Sequence, residues 1–457
     1  MSTKGKRDFR PKIHFTPPEG WMNDPNGMVY INGIYHFYYQ KHPQDTVWGP
    51  MHWGAASSKD LLHWDHHPIA LYPDELGMIY SGSAVYDKGN TSALGTMDNP
   101  PIIAVFTNHD NVTGLEQQSI AYSLDEGFHF EKSYCNPVIE NPGIKDFRDP
   151  KVLWNSVKQC WSLVIAAGDC VYFYESNDLK QWRKTGEFGK QENVDGVWEC
   201  PDLFPIRYQE LTVWVLVISI SNFKEGQRCR MRYFLGDFDG NSFSSTYQKD
   251  KVLWLDEGFD HYAGVTFQNH EEPLFMAWAM NWIYSLQTPT NEYCGQATLA
   301  RKLHLENTGQ GLRLAALAEG LEQYRAASRQ IKSGEHLGTE TFGIRVSGKG
   351  DATFILNNPV GQQFKFGVVD NRIVVDRTEA GYRDFNEYFI KTELSKAEAE
   401  RLVEGEWSLE LVFDVSVAEF FADNGLETLT ILVYPDMAYD KIIWDNDDVL
   451  AELYEIK

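Results

Sequence analysis

Three short motifs set a carboxylate beside or close to a proline: Asn23-Asp24-Pro25-Asn26-Gly27, Arg148-Asp149-Pro150 and Glu199-Cys200-Pro201-Asp202. Proline fixes its own φ and restricts the residue before it, so an acid in this setting is held by backbone geometry. In the first motif Asn26-Gly27 offers the positive φ that a tight reversal needs. Taken singly, each motif has an ordinary explanation. Asn-Asp-Pro-Asn-Gly is good turn chemistry, Arg148-Asp149 suits a surface ion pair, and Glu199 suits a solvated strand end. Cys200 reads as a small core residue, with no histidine near it in sequence to activate the thiol. Taken together, the acids supply what cleavage of a glycosidic bond requires: a nucleophile, a protonated acid and a group that holds the sugar. An acid that keeps its proton near neutral pH needs burial or a neighbouring negative charge. Asp24 and Asp149 beside Glu199 would supply that charge.

Positions so far apart in sequence meet only if the fold gathers them. A weak internal repeat shows how. Ser58-Lys59-Asp60-Leu61-Leu62-His63-Trp64 returns as Ser123-Leu124-Asp125-Glu126-Gly127-Phe128-His129-Phe130 and as Ser176-Asn177-Asp178-Leu179-Lys180-Gln181-Trp182. A looser copy is Gly236-Asp237-Phe238-Asp239-Gly240-Asn241-Ser242-Phe243. Each copy follows a short strand pattern, carries an acidic turn, and ends on an aromatic that opens the next strand. A strand-turn-strand unit recurring at about 60 residues predicts a propeller of four-stranded blades, about five of them, over residues 1–308. Residues 309–335 read as a connector with some local order. From Phe342 onward, alternating segments separated by turn signals predict an antiparallel β-sandwich over residues 336–457. One short helix is expected over Ser395–Leu402, with Ser395 as its N-cap. The fold class expected is therefore all-β, a five-bladed propeller followed by a C-terminal sandwich. On a propeller, Asp24, Asp149 and Glu199 come from three blades and meet at the central channel.

Composition narrows the partners. The chain has 457 residues and a net charge of −24, which argues against nucleic acid, because phosphate contacts need an excess of Lys and Arg. Aromatic residues make up 14% of it, which suits packed sheets first and clefts that stack on sugar rings second. No stretch is long enough to span a membrane, and the basic start, Met1 to Asp8, has no apolar run after it. Six cysteines without a C-x-x-C pair read as free thiols, so a cytoplasmic protein is expected. The sequence leaves the oligomeric state open, a homo-oligomer included.

These motifs, in this order, resemble the β-fructofuranosidases of glycoside hydrolase family 32, the invertase, inulinase and sucrose-6-phosphate hydrolase group. Further markers are Tyr80-Ser81-Gly82-Ser83, Gly258-Phe259-Asp260-His261-Tyr262-Ala263, Trp278-Ala279-Met280-Asn281-Trp282 and Glu419-Phe420-Phe421-Ala422-Asp423-Asn424-Gly425. The likeness covers nearly the whole chain. It implies a retaining mechanism in which Asp24 is the nucleophile, Glu199 the acid and base, and Asp149 the transition-state stabiliser. It places Asn23, Gln40, Trp48, Ser83, Arg148, Tyr262 and Trp282 around a fructose unit. It implies no metal and no organic cofactor, and retention sets the gap between Asp24 and Glu199 at about 5–5.5 Å. The residues fit without the family too: the Gln40 amide can both donate to and accept from a hydroxyl, and Trp48 could close a pocket wall or pack in a core beside Trp53.

Some positions depart from the family's usual pattern. Ala55 stands where His is common, Tyr293-Cys294-Gly295 where Trp-Arg-Gly is common, and Ala300-Arg301-Lys302 where Pro-Arg-Glu is common. These leave the three acids intact and bear on recognition of the leaving group. The substrate could thus be sucrose, sucrose 6-phosphate or a short fructo-oligosaccharide. Two rivals to hydrolysis are fructosyl transfer on the same fold and a non-catalytic fructan-binding protein, whose signature would be a missing acid.

Overall fold

The computed structural model describes residues 7–189, 194–222, 228–247 and 251–457, and strands dominate them. The chain divides into two compact units, and the division is not sequential. One unit holds Pro17–Trp254 and Tyr262–Trp278, and the other holds the segment ending at Thr16, Leu255–His261 and Ala279–Lys457.

The first unit is built from successive antiparallel meanders. Gly20–Ile31, Ile34–His42, His52–Ser58 and Trp64–Leu71 pair in that order, as do Met78–Tyr86, Ile102–His109, Glu116–Ser123 and Glu131–Lys132. Phe147–Asn155, Cys160–Ala167, Cys170–Ser176 and Arg183–Gly189 form a third sheet. Val197–Tyr208, Leu211–Ser221, Arg230–Phe238 and Phe243–Ser245 form a fourth, and Tyr262–Thr266 pairs with Leu274–Trp278. In the third sheet the second strand, Cys160–Ala167, is buried throughout, whereas the fourth, Arg183–Gly189, has no buried residue. The reason is packing between sheets. Val85, Val105 and Ile120 meet Val152, Leu163 and Ile165 in one cluster, and Val164 and Phe173 meet Leu216, Ile218 and Phe234 in another. Each such side chain removed from water contributes roughly 1.5–3 kcal/mol.

The repeat seen in sequence is one turn used four times. Leu62 and His63 N–H donate to Asp60 Oδ1, His129 N–H to Asp125 Oδ1, Lys180 and Gln181 N–H to Asp178 Oδ1, and Asn241 and Ser242 N–H to Asp239 Oδ1. Each turn links the third and fourth strands of its sheet, so the side chain of one acid replaces the ladder bonds that a reversal loses.

The first strands of the five groups are neighbours in cyclic order. Gly20–Ile31 lies beside Met78–Tyr86, which lies beside Phe147–Asn155, then Val197–Tyr208, then Tyr262–Thr266, which returns to Gly20–Ile31. Tyr30 N–H donates to Gln268 O (3.0 Å) and Gln268 N–H to Met28 O (2.9 Å), which joins the last group to the first. All five first strands are bulged against their partners. The register breaks between Met22 and Pro25, Ile79 and Gly82, Arg148 and Lys151, Glu199 and Asp202, and Tyr262 and Val265. A buried ion pair ties three of them: Lys151 Nζ lies 3.2 Å from Asp202 and donates to Thr266 O at 2.6 Å.

The second unit carries two antiparallel sheets. One has the order 329–330, 450–455, 341–348, 407–414, 417–422, 427–432, and the other 396–400, 372–379, 363–369, 352–357, 441–444. Their aromatic faces meet, with Phe366 5.2 Å and Phe364 6.0 Å from Phe420 between ring centroids. A charged network is buried beneath them. Arg301 donates to Asp256, Glu419 and Thr430, and His14 bridges Asp414 and Glu419 at 2.9 Å each.

One local expectation fails here. The helix expected over Ser395–Leu402 is instead the strand Lys396–Glu400. Ala397 and Ala399 point inward while Lys396 and Glu398 point out to Asp376 and Arg372 on the next strand, 3.2 and 3.0 Å away. Tertiary pairing overrides the helix propensity of Lys, Ala and Glu. Ser395 caps no helix; its Oγ donates to Lys391 O. Within 309–335, Gly311–Ala318 is a regular strand in a hairpin with Arg301–Thr308, and only Glu322–Ala326 is helical.

Candidate active site

The three acids all sit on the bulged segments. Asp24 follows Asn23 where the Gly20–Ile31 ladder skips, and Gly27 takes the positive φ expected of it, +52°. A Cβ on Gly27 would stand 2.7 Å from the Tyr38 ring and 2.8 Å from Trp53, so the turn and its packing both require glycine. Asp149 and Cys200 are non-glycine residues at φ 68° and 45°. Backbone of this kind costs on the order of 1–3 kcal/mol per residue and persists only where its surroundings enforce it. Here the enforcement is visible. Asp149 N–H donates to Thr107 Oγ1 (3.0 Å), and Cys200 N–H donates to Asp149 Oδ2 (2.9 Å).

Asp24 is gripped from three sides. Asn23 Nδ2 donates to Oδ1 (2.9 Å), Ser81 Oγ to Oδ2 (2.6 Å), and the Cys200 thiol lies 3.5 Å from Oδ2. Trp21 Nε1 fixes Asn23 through its Oδ1 (2.8 Å), and Gln40 Nε2 fixes Asn26 (2.7 Å). Glu199 accepts from Arg148 Nη2 on Oε1 (2.8 Å) and from the Tyr262 hydroxyl on Oε2. The three acids act on one another electrostatically. Burial pushes Asp149 up to about 8, against the pull of Arg148 and with the help of Asp24 and Glu199. Burial also raises Asp24, opposed by its donors from Ser81 and Asn23 and reinforced by Glu199. A cluster of three carboxylates facing one guanidinium thus retains a proton near neutral pH.

Of the residues expected at the site, Asn23, Asp24, Arg148, Asp149, Glu199 and Tyr262 converge. Gln40 is 2% exposed and holds Asn26 in place. Trp48 belongs to the rim, 41% exposed and edge-on to Tyr80, while Trp53 takes the core position. Burial raises the Tyr80 phenol, with Glu116 and Arg148 the next influences and Asp149 and Glu199 also felt, so its ring stands by the acids. Ser83 is engaged elsewhere: its Oγ donates to Pro150 O (2.9 Å) and accepts from Val152 N–H (3.0 Å). Trp282 lies in the second unit, on a cleft of about 380 Å³ lined also by Gln287, Phe385, Asn386 and Tyr388.

Sequence reasoning missed Ser81 and the thiol of Cys200. Ser81 occupies the bulge position of the second group, equivalent to that of Asp24 in the first. Cys200 is buried as expected, but between two acids, 3.6 Å from Asp149 Oδ2. Among the described residues no cluster of three or more His, Cys, Asp or Glu could hold a metal ion.

The chain matches the glycosyl hydrolases family 32 N-terminal domain over residues 14–315 and the family 32 C-terminal domain over residues 304–454. A levanase of Bacillus subtilis (strain 168) is 40% identical over 94% of the chain, which spans 67% of that levanase. The exo-inulinase of Aspergillus awamori superposes with a TM-score of 0.90 at 29% identity, over 100% of this chain and 99% of that one. The β-fructofuranosidase of Schwanniomyces occidentalis, complexed with fructosyl-erythritol, superposes with a TM-score of 0.87 at 27% identity, over 100% of this chain and 98% of that one. The chain belongs to glycosyl hydrolase family 32.

Proposed function

We propose that the protein is a retaining β-fructofuranosidase that releases terminal non-reducing fructose from β-D-fructofuranosides such as sucrose, sucrose 6-phosphate or short fructo-oligosaccharides. The observation that carries this reading is that Asp24, Asp149 and Glu199 each stand at the bulge of a first strand and act on one another, with Arg148 and Tyr262 holding Glu199. Asp24, steadied by Asn23 and Ser81, attacks the anomeric carbon of the fructosyl unit. Glu199 gives a proton to the leaving oxygen, then takes one from the water that frees the fructose. Asp149 holds fructose hydroxyls and stabilises the charge that develops on the ring. The donors on Asp24 favour its ionised form. Asn23, Gln40, Trp48, Ser83, Arg148 and Tyr262 remain the proposed surroundings of the fructose, Ser83 and Gln40 acting through the backbone and Asn26 that they fix.

The same proposal takes the five groups of strands as blades of a propeller and the two later sheets as a sandwich. It is supported by the cyclic neighbourhood of the first strands and the aromatic contacts between the sheets. It includes a cytoplasmic setting, supported by six free cysteines.

The test is a fructose-release panel over sucrose, sucrose 6-phosphate, kestose, inulin and levan with the wild type and Glu199→Ala. The wild type releases fructose from at least one. The variant stays folded and binds fructosides but loses turnover by at least about 10²-fold, in line with removal of a general acid. Unchanged turnover in the variant would refute the assignment of Glu199.

A further inference from the structure

Glu116 lies outside every motif that pointed to the site, yet it is 4% exposed and fully engaged there. It opens the strand Glu116–Ser123. Its Oε2 accepts from Phe147 N–H at 2.8 Å, and Arg148 Nη1 donates to Oε1 and Oε2 at 3.2 and 3.3 Å. His109 Nδ1, on the adjacent strand, sits 3.3 Å from Oε1, and its ring stacks on Tyr80 at 4.4 Å. The guanidinium of Arg148 therefore has two sides. Nη1 faces Glu116 and, at 2.7 Å, Asp146; Nη2 faces Glu199 at 2.8 Å.

We propose that Glu116 is a positioning residue for the acid and base: it fixes the Arg148 fork and offsets its charge, and so sets how strongly Arg148 draws on Glu199. This rests on the β-fructofuranosidase reading and deepens it. Glu116 need not touch the sugar. A planar fork with one side taken can present only its other side, which gives Arg148 a single orientation toward Glu199. The charge matters as much as the geometry. Arg148 is the cation that the acids share, and Glu116 and Asp146 compensate part of it from behind. Without that compensation the guanidinium favours the ionised acid more strongly, and the cluster gives up its last proton at lower pH. The titratable and charged groups that face Glu116 are His109 and Tyr80 on the neighbouring strands and Asp146 and Arg148 on the strand entering the site. Asp149 and Glu199 lie beyond Arg148.

The experiment measures initial rates of fructose release from sucrose between pH 4 and 9 for the wild type, Glu116→Gln and Asp146→Asn, with a thermal melt of each. Glu116→Gln keeps the shape and the acceptor for Phe147 N–H but removes the charge. Its expected effects are a basic limb of kcat/KM lowered by about one pH unit, a kcat about tenfold lower at pH 7, and KM within about twofold. Asp146→Asn, at a less buried position, shifts the limb in the same direction by less, and it carries the test should Glu116→Gln fail to fold. A folded Glu116→Gln with an unmoved basic limb overturns the proposal, whether or not kcat falls, and so does a limb that stays in place in Asp146→Asn when that variant alone is folded. A wild type that releases no fructose refutes the underlying reading instead, so the two failures are separable.

Discussion

Replacing Ser81 by alanine isolates the donor that the sequence motifs overlooked. Its hydroxyl donates to Asp24 Oδ2 at 2.6 Å, and the serine is 4% exposed. A hydrogen bond to a charged group contributes about 1.5–3 kcal/mol. If the lost bond falls on the ionised form alone, the Asp24 carboxyl rises further. The direction follows from the cause: burial already pushes Asp24 up, and Ser81 is the first influence opposing it. The acidic limb of kcat/KM for fructose release should therefore move to higher pH by at least about one unit. At the plateau, the loss of orientation should lower kcat/KM by about tenfold. The assay is initial-rate fructose release from sucrose across pH 4–8, with a melt to confirm folding. An acidic limb unchanged within about 0.2 units, in a folded variant, would refute the view that Ser81 keeps Asp24 ionised.

Ser83→Ala distinguishes a structural hydroxyl from a sugar contact. It leaves Pro150 O and Val152 N–H without their partner, so unfolding free energy should fall by about 1–3 kcal/mol while KM for sucrose stays within about twofold; a large rise in KM with an unchanged melt would overturn this. The stability of the second unit should depend on pH through His14. Burial alone would lower it, but the hydrogen bonds to Asp414 and Glu419 win and hold it at about 9, above the usual 6.5. Its contribution is thus complete below about pH 6.5 and is lost as pH climbs through 9. Asp149, raised to about 8, also favours the folded state at lower pH and contributes a slope of the same sign. In chemical denaturation at pH 6.5, 8 and 9.5, stability should fall with pH, and His14→Gln should flatten the part of the slope above pH 8. A slope that survives intact in that variant would refute the role of His14.

Much of the site was legible because proline and glycine write backbone geometry into the sequence. The turn at Asp24, the three acids and the repeated acidic turns at Asp60, Asp125, Asp178 and Asp239 were all readable in this way. The contacts of Ser81, Ser83 and Glu116 were not. Those of Ser81 and Ser83 depend on which face of a bulged strand each occupies, and a bulge shifts that face by one position without leaving a composition signal; those of Glu116, on a regular strand, reach Phe147 and Arg148 of another sheet. Lys396–Glu400 misled because Lys, Ala and Glu favour helix in isolation, whereas Arg372 and Asp376 on the neighbouring strand supply partners that only an extended chain can meet. Gly311–Ala318 was obscured by Arg313, a charge that is nonetheless buried in its strand and bonded to Gln310 O and Leu312 O.

Some amides on the bulges are satisfied by side chains rather than by a neighbouring strand: Asp149 by Thr107, Cys200 by Asp149 and Ala263 by Ser219. In evolutionary terms this spreads selection away from the chemistry. Thr107 and Ser219 are ordinary hydroxyls on second strands, and what they hold is backbone. Drift at either would release a backbone amide beside the catalytic centre, so both should be as slow to change among descendants as the acids themselves. Leucines and valines a few residues away can exchange freely as long as volume is kept. A pedigree of this enzyme would then record its mechanism in residues that take no part in it.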